Sequence, residues 1–266
     1  MPENRRTMVI TGGAGNNGLA IVRMALQQGM NVAFLSSSHG KAQEAIAKFG
    51  AEYKDRIIGF AQNPQFKFAQ NMADAPGVYD ENTTQEDVLR WIYEYFGRID
   101  IMVNGSGGHV RKNFEETDVA FWRHSMLVLE AAFFNTKLIL PYLLESDAPR
   151  VINLTTCDGR AGGYFDNPSF AAARGGIVAL TQELARELGP KGVTVNCVAI
   201  GHIEQDVPDE DMLTDEQRAE MLAATPLNRL GVPGDVAGII NFLASKEASF
   251  ITGAVIDVNG GILMSS

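Results

Sequence analysis

The chain of 266 residues is poor in the residues that build covalent or metal-stapled folds, with two Cys, four His and two Trp. Cys157 and Cys197 are too few and too far apart for a disulfide framework, and neither they nor the scattered His have metal-ligand spacing. Reduced thiols and no metal are expected. Basic charge is also scarce: 22 Lys and Arg stand against 32 Asp and Glu, a net charge of −10. A nucleic-acid or anionic-membrane surface would need a basic face, so neither partner is expected. Long apolar runs are missing as well. The most apolar stretch, residues 131–144, is interrupted by Asn135 and Lys137, and MPENRRTMVI at the start carries no signal-type apolar segment. A cytoplasmic protein acting on a small molecule is the expectation. No Pro/Ser-rich linker or charge block divides the chain, and 45% apolar residues suffice for one large core, so a single domain is expected.

What is present is alternation. Short β-branched or apolar runs at Met8–Ile10, Asn31–Leu35, Arg56–Ala61, Asp100–Val103, Arg150–Leu154, Thr194–Val198 and Ala254–Val258 read as strands. Helical apolar spacing separates them at Leu19–Gln28, Ala42–Phe49, Glu86–Phe96, Phe121–Leu144, Phe170–Leu188 and Val236–Ala244. Such alternation predicts an α/β fold: a doubly wound parallel sheet of about seven strands with helices on both faces. Ligands of such sheets bind beyond the carboxyl ends of the strands, so the residues after each strand carry the functional argument.

The first of these turns, TGGAGNNG (Thr11–Gly18), has the glycines that let a pyrophosphate approach the N–H groups at a helix start. After the second strand come Ser36, Ser37, Ser38, His39 and Lys41 with no carboxylate. That polarity leans to NADP over NAD, since an acid there would hold a ribose 2′-hydroxyl. The same residues read equally well as a polar turn with Ser38 capping the next helix.

These segments together resemble the short-chain dehydrogenases/reductases. Their TGxxxGxG maps on Thr11, Gly12, position 16 and Gly18, with Asn16 where the family has Gly. GRIDIMVNGSGG resembles the family's fourth strand and NNAG turn through Asn104 and Gly107, and RVINLTTCDG resembles the strand carrying the active-site Ser. ELGPKGVTVNCVAIG, with Ile200 replacing Pro, and PLNRLGVPGDVAGIINFLAS followed by ITGAVIDVNGG resemble the later segments. Residues 62–82 look like an insertion, in which Gln62 or Asn63 would stand in for the acid that holds adenine.

The resemblance implies a Rossmann fold binding NADP or NAD along Thr11, Gly12, Gly15, Asn16, Asn17, Gly18, Ser36, Ser37, Asn63, Asn104, Gly105, Arg174, Gly201 and Ile203, and a homo-oligomer, dimer or tetramer. It also implies that the usual tetrad is altered. The Tyr position is Phe170, the Lys position Arg174, the Asn position Val128 and the Ser position Thr156, with Cys157 a rival for the last. A phenyl ring carries no proton, and a guanidinium is no substitute for an ammonium. Substitute acids are sought among His109, Asp158, Tyr164, Asp166, His202 and Glu204, with Tyr164 and His109 foremost. Arg174 with Arg111 and Lys112 would alternatively hold an anionic ligand. Three readings stay open: an atypical NAD(P)-dependent oxidoreductase on a small carbonyl or alcohol, a catalytically silent ligand-binding or assembly protein, and a non-redox enzyme. The last follows the halohydrin dehalogenases, which also have Arg at the Lys position.

Overall fold

Seven parallel strands in the order β3-β2-β1-β4-β5-β6-β7 form the centre of the computed structural model, which describes residues 5–61, 84–105, 107, 112–162, 168–204 and 214–264. The strands are β1 Thr7–Thr11, β2 Asn31–Ser36, β3 Ile57–Ala61, β4 Ile101–Asn104, β5 Arg150–Thr156, β6 Thr194–Ile200 and β7 Val255–Val258. The helices are α1 Asn16–Gln27, α2 His39–Ala47, α3 Gln85–Phe96, α4 Val119–Leu143, α5 Asp158–Ala161, α6 Pro168–Leu188, α7 Asp215–Ala224 and α8 Pro233–Ala244. All seven predicted strands are present within one or two residues at each end. The six predicted helices are present too, and α5 and α7 are additional. Strand order reverses between β1 and its neighbours β2 and β4, which is the switch point where the crevice opens.

Alternate residues of each strand face opposite helical layers. Met8, Ile10, Val32, Phe34, Ile152 and Val198 pack with Ile21 and Val22 of α1 and Val236 and Ile240 of α8. Val9, Leu35, Phe60, Val151 and Val195 pack on the other face with Val88 and Ile92 of α3, Ile139 of α4 and Ala185 of α6. Burial on both faces is the reason the strands read as unbroken apolar runs.

Local sequence sets the helix ends. Ser38 caps α2 by accepting from Lys41 N at 3.3 Å, as the capping reading expected. Thr84 and Asp87 form a reciprocal capping box on α3, which stops at Gly97 in the left-handed conformation, φ 76°. Helix α4 is long and apolar enough to cross a membrane, but it lies along this sheet with Asn135 and Thr136 turned inward. Asn135 Nδ2 donates to Asn104 Oδ1 at 3.1 Å, which accounts for the polar interruption seen in the sequence.

At the amino ends of the strands, buried Asp100 accepts from Thr7 N and from Arg98 Nε, each at 2.8 Å, tying β4 to β1. A concavity of about 490 Å³ lies here, lined by Arg6, Arg98, Asp147 and Lys246 among others. Arg98 and Lys246 are paired with Asp147, and Arg6 Nη2 donates to the Ala148 carbonyl. It lies opposite the carboxyl-end crevice and is no candidate for the site.

Candidate active site

The β1–α1 turn is a backbone cradle. Gly12, at φ 73°, and Gly13 both donate to the Leu35 carbonyl, at 2.8 and 3.2 Å. A Cβ on Gly13 would lie 2.4 Å from Phe34 Cβ, and one on Gly18 would lie 2.2 Å from the Gly12 carbonyl oxygen. Both positions therefore require glycine for packing. Thr11 Oγ1 accepts from Gly105 N at 3.1 Å, locking this turn to the loop after β4. Gly15 caps α1 without a side-chain bond, so the first turn of that helix presents its N–H groups toward the crevice.

Asn16 occupies the first position of α1, and its Nδ2 donates to the Glu204 carbonyl at 2.8 Å. Gly201 and Ile203 lie on this wall after β6: a Cβ on Gly201 would lie 2.6 Å from Asn259 Cα, and Ile203 is buried and bridged to Gly231.

Four of the buried side-chain polar atoms without a protein partner lie along the crevice. Ser36 Oγ at the end of β2, Asn17 Oδ1 at the start of α1, Thr156 Oγ1 at the end of β5 and Arg174 Nε on α6 are all buried and unbonded. Buried polar groups are almost always paired in a finished protein, so these four fit a polar ligand lying along the strand ends. Ser37, by contrast, is exposed. Asn104 is committed elsewhere: its Nδ2 donates to Asn153 Oδ1 at 2.8 Å and to Thr136 Oγ1 at 3.1 Å.

Helix α6 brings the remaining predicted residues together. Arg174 is 5% exposed; its Nη1 donates to the Leu154 carbonyl at 3.1 Å and its Nη2 to the Gly107 carbonyl at 3.3 Å. Desolvation pushes its pKa down to about 10, so the guanidinium stays charged at neutral pH. The cation stacks over the buried Phe170 ring at 4.9 Å. A Cβ on Gly107 would lie 2.5 Å from Arg174 Nη2 and 3.0 Å from Val128 Cγ2, so Val128, Arg174 and the loop after β4 converge at one point. Thr155 Oγ1 donates to the Arg174 carbonyl at 2.8 Å, fixing α6 against β5.

Cys157 is buried, and desolvation raises its thiol to about 11. It is a protonated, inert neighbour of Thr156 and not a rival to it. Lys112 pairs with Asp118 at 3.3 Å on the surface. The predicted residues Gln62, Asn63, His109, Arg111, Tyr164 and Asp166 lie outside the described residues.

The comparisons fit this geometry. The family model for enoyl-(acyl carrier protein) reductase matches residues 69–263. A 3-oxoacyl-[acyl-carrier-protein] reductase FabG of Vibrio cholerae is 32% identical over 263 residues, with 97% of this chain and 98% of that protein covered. An uncharacterized short-chain type dehydrogenase/reductase of Sinorhizobium fredii is 31% identical over 266 residues, with coverage of 97% and 98%. A crystal structure of a short-chain dehydrogenase/reductase from Brucella melitensis superposes with a TM-score of 0.81 at 31% identity, covering 99% of this chain and 98% of that one. Sheet order, glycine cradle and crevice define a Rossmann-type oxidoreductase class. The chain belongs to the short-chain dehydrogenase/reductase family.

Proposed function

We propose that the protein is a cytoplasmic NAD(P)-dependent oxidoreductase acting on a small carbonyl or alcohol substrate through an altered tetrad of Thr156, Phe170, Arg174 and Val128. The observation that carries this reading is the unbonded, buried Thr156 hydroxyl at the carboxyl end of β5, together with a cradle at α1 that excludes side chains. The α1 N–H groups and Ser36 would hold the dinucleotide, with Asn17, Gly105, Gly201 and Ile203 along its path. The absence of a carboxylate after β2 favours NADP. When bound, the nicotinamide exchanges a hydride with the substrate carbon. Thr156 Oγ1 donates a hydrogen bond to the substrate oxygen. Arg174, charged and facing the same strand end, contributes positive potential while its spare N–H groups serve the cofactor ribose or an anionic substituent. Neither Phe170 nor Val128 can move a proton, so the proton comes from a recruited group, for which Tyr164 and His109 are the candidates.

A second reading, a silent ligand-binding member, is favoured by one observation: Phe170 and Arg174 are stacked into a packed unit where a proton donor would be needed. Self-association accompanies either reading, because α4 leaves Trp122, Phe133 and Phe134 at least 40% exposed.

Calorimetric titration with NADH and NADPH, followed by turnover on a carbonyl and alcohol panel, decides between them. Binding with turnover that Tyr164→Phe or His109→Ala abolishes supports the oxidoreductase. Binding without turnover, and activity gained by Phe170→Tyr/Arg174→Lys, supports the silent reading. No dinucleotide binding by the wild type or by that double variant overturns the oxidoreductase.

A further inference from the structure

Two walls of the crevice come from strands that are not neighbours. The phosphate turn follows β1 and the segment His202–Glu204 follows β6, and β4 and β5 stand between them in the sheet. Neighbouring strands are about 4.8 Å apart, so the strands bearing these walls are separated by roughly 14 Å. A side-chain hydrogen bond joins them, Asn16 Nδ2 donating to the Glu204 carbonyl at 2.8 Å. The segment His202–Glu204 is held by three further contacts. Its N–H donates to the Gly231 carbonyl at 2.8 Å, Gly231 N donates back to the His202 carbonyl at 2.9 Å, and its carboxylate pairs with Arg218 of α7 at 2.7 Å. A Cβ on Gly231 would lie 2.4 Å from Ile203 Cδ1, so a larger residue here would have to displace the end of the Ile203 side chain. Asn16 is thus the member of the network that belongs to the phosphate turn.

We infer that Asn16 is a positioning residue that straps the phosphate turn to the wall after β6, and through Glu204 and Arg218 to α7, so that it governs how fast a dinucleotide enters and leaves. This rests on the dinucleotide-binding reading above. A ligand with its phosphates at the start of α1 and its reactive end toward Thr156 and Arg174 runs between the two joined walls. A residue without a side chain at position 16 leaves that hydrogen bond unmade. The amide is suited to the task because it donates to a carbonyl without placing negative charge beside phosphates, which Asp at this position would do.

Stopped-flow fluorescence of NADPH and NADH binding to the full chain is the test, with Asn16→Gly, Asn16→Asp and Arg218→Met. Asn16→Gly is expected to raise the dissociation rate constant by about fivefold to tenfold, the loss of one hydrogen bond, and to raise the association rate constant as well. Arg218→Met raises dissociation less, and adding it to Asn16→Gly produces no further increase, because the strap is already open. Thermal midpoints of the variants identify any that are merely unfolded, and Asn16→Asp, which keeps the side-chain size, provides the second probe with slowed association. Binding by wild type and Asn16→Gly with both rate constants within twofold overturns the strap and leaves the dinucleotide reading intact. Binding by Asn16→Gly alone supports a strap closed in the wild type. Silence of both overturns strap and dinucleotide reading together.

Discussion

Replacing Arg174 by Met removes a buried cation that has no carboxylate partner among the described residues, and the consequence for stability can be worked out. Burial lowers the guanidinium from its ordinary value to about 10, with desolvation the largest cause. At about 1.4 kcal/mol per unit this is a cost of roughly 3 kcal/mol for holding the charge inside. Against it stand two hydrogen bonds to carbonyls, each with a net value of about 1 kcal/mol. The stack on Phe170 adds about 1–2 kcal/mol in a desolvated setting. The terms nearly cancel, so Arg174→Met should change the unfolding free energy by no more than about 1 kcal/mol. Breaking a buried ion pair from one side costs about 3–5 kcal/mol, so a loss in that range would show that a counter-charge faces Arg174 and would refute the reasoning. Urea denaturation at pH 7, with m-values compared, measures it. The pH dependence has a definite sign. A cation whose folded pKa is depressed destabilises the fold at every pH below that value. The penalty is relieved as pH rises from about 10 toward the ordinary guanidinium value, where the unfolded chain binds the proton and the folded chain does not. Wild type should therefore gain on Arg174→Met across that window, while ligand binding is lost in the variant at neutral pH.

Three other outcomes follow from packing and charge. Gly18→Ala puts a methyl against backbone atoms of Gly12 and Gly13 that cannot swing aside; it should lower stability by about 1–3 kcal/mol in urea unfolding and abolish dinucleotide binding, and a neutral result would show that the turn yields to a side chain. Asp147, held down to about 2 first by its hydrogen bond to Arg98 and then by Lys246, contributes stability present above the ordinary carboxylate pKa and lost as pH falls through about 2. Asp147→Asn should flatten that acid limb, read by circular dichroism between about pH 4 and pH 2. Cys157 and Cys197, raised mainly by desolvation to about 11 and about 12, should be silent to a thiol reagent at pH 8 and react only on denaturation; fast reaction of either in the folded protein would refute their burial.

The strands were legible because parallel strands covered on both faces must be apolar almost throughout, and short β-branched runs such as those at residues 150–154 and 194–198 suit a buried strand far better than a helix. Helix α7 escaped the periodicity reading because among its buried residues only Met221 is found, although the capping box of Thr214 and Gln217 was a signal for its start. Thr156 was singled out by the resemblance and Ser36 by its place at a strand end, and both stand at the last residue of their strands, β5 and β2. Asn104 ends β4 in the same way, yet its amide is spent on Asn153 and Thr136, partners 49 and 32 residues away that no local pattern reveals. The Asn16 bond spans 188 residues and was invisible for the same reason. Sequence spacing locates where a side chain starts; it does not say which distant carbonyl it has already taken.

Phe170 and Arg174 also have to be changed together if the site is to be converted, and the reason is geometric. They are one turn apart on α6 and stack ring on guanidinium, so each is part of the other's surroundings. Lys at 174 alone forfeits the planar fork that reaches the Leu154 and Gly107 carbonyls at once, and places a more strongly hydrated ammonium over an apolar ring. Tyr at 170 alone adds a hydroxyl to a buried ring beneath a buried cation that gains nothing from it. The two substitutions should therefore be non-additive, with a coupling of about 0.5–1.5 kcal/mol in favour of the pair by a double-mutant cycle in urea. Strict additivity would mean that neither position senses the exchange made at the other, and would refute the coupling.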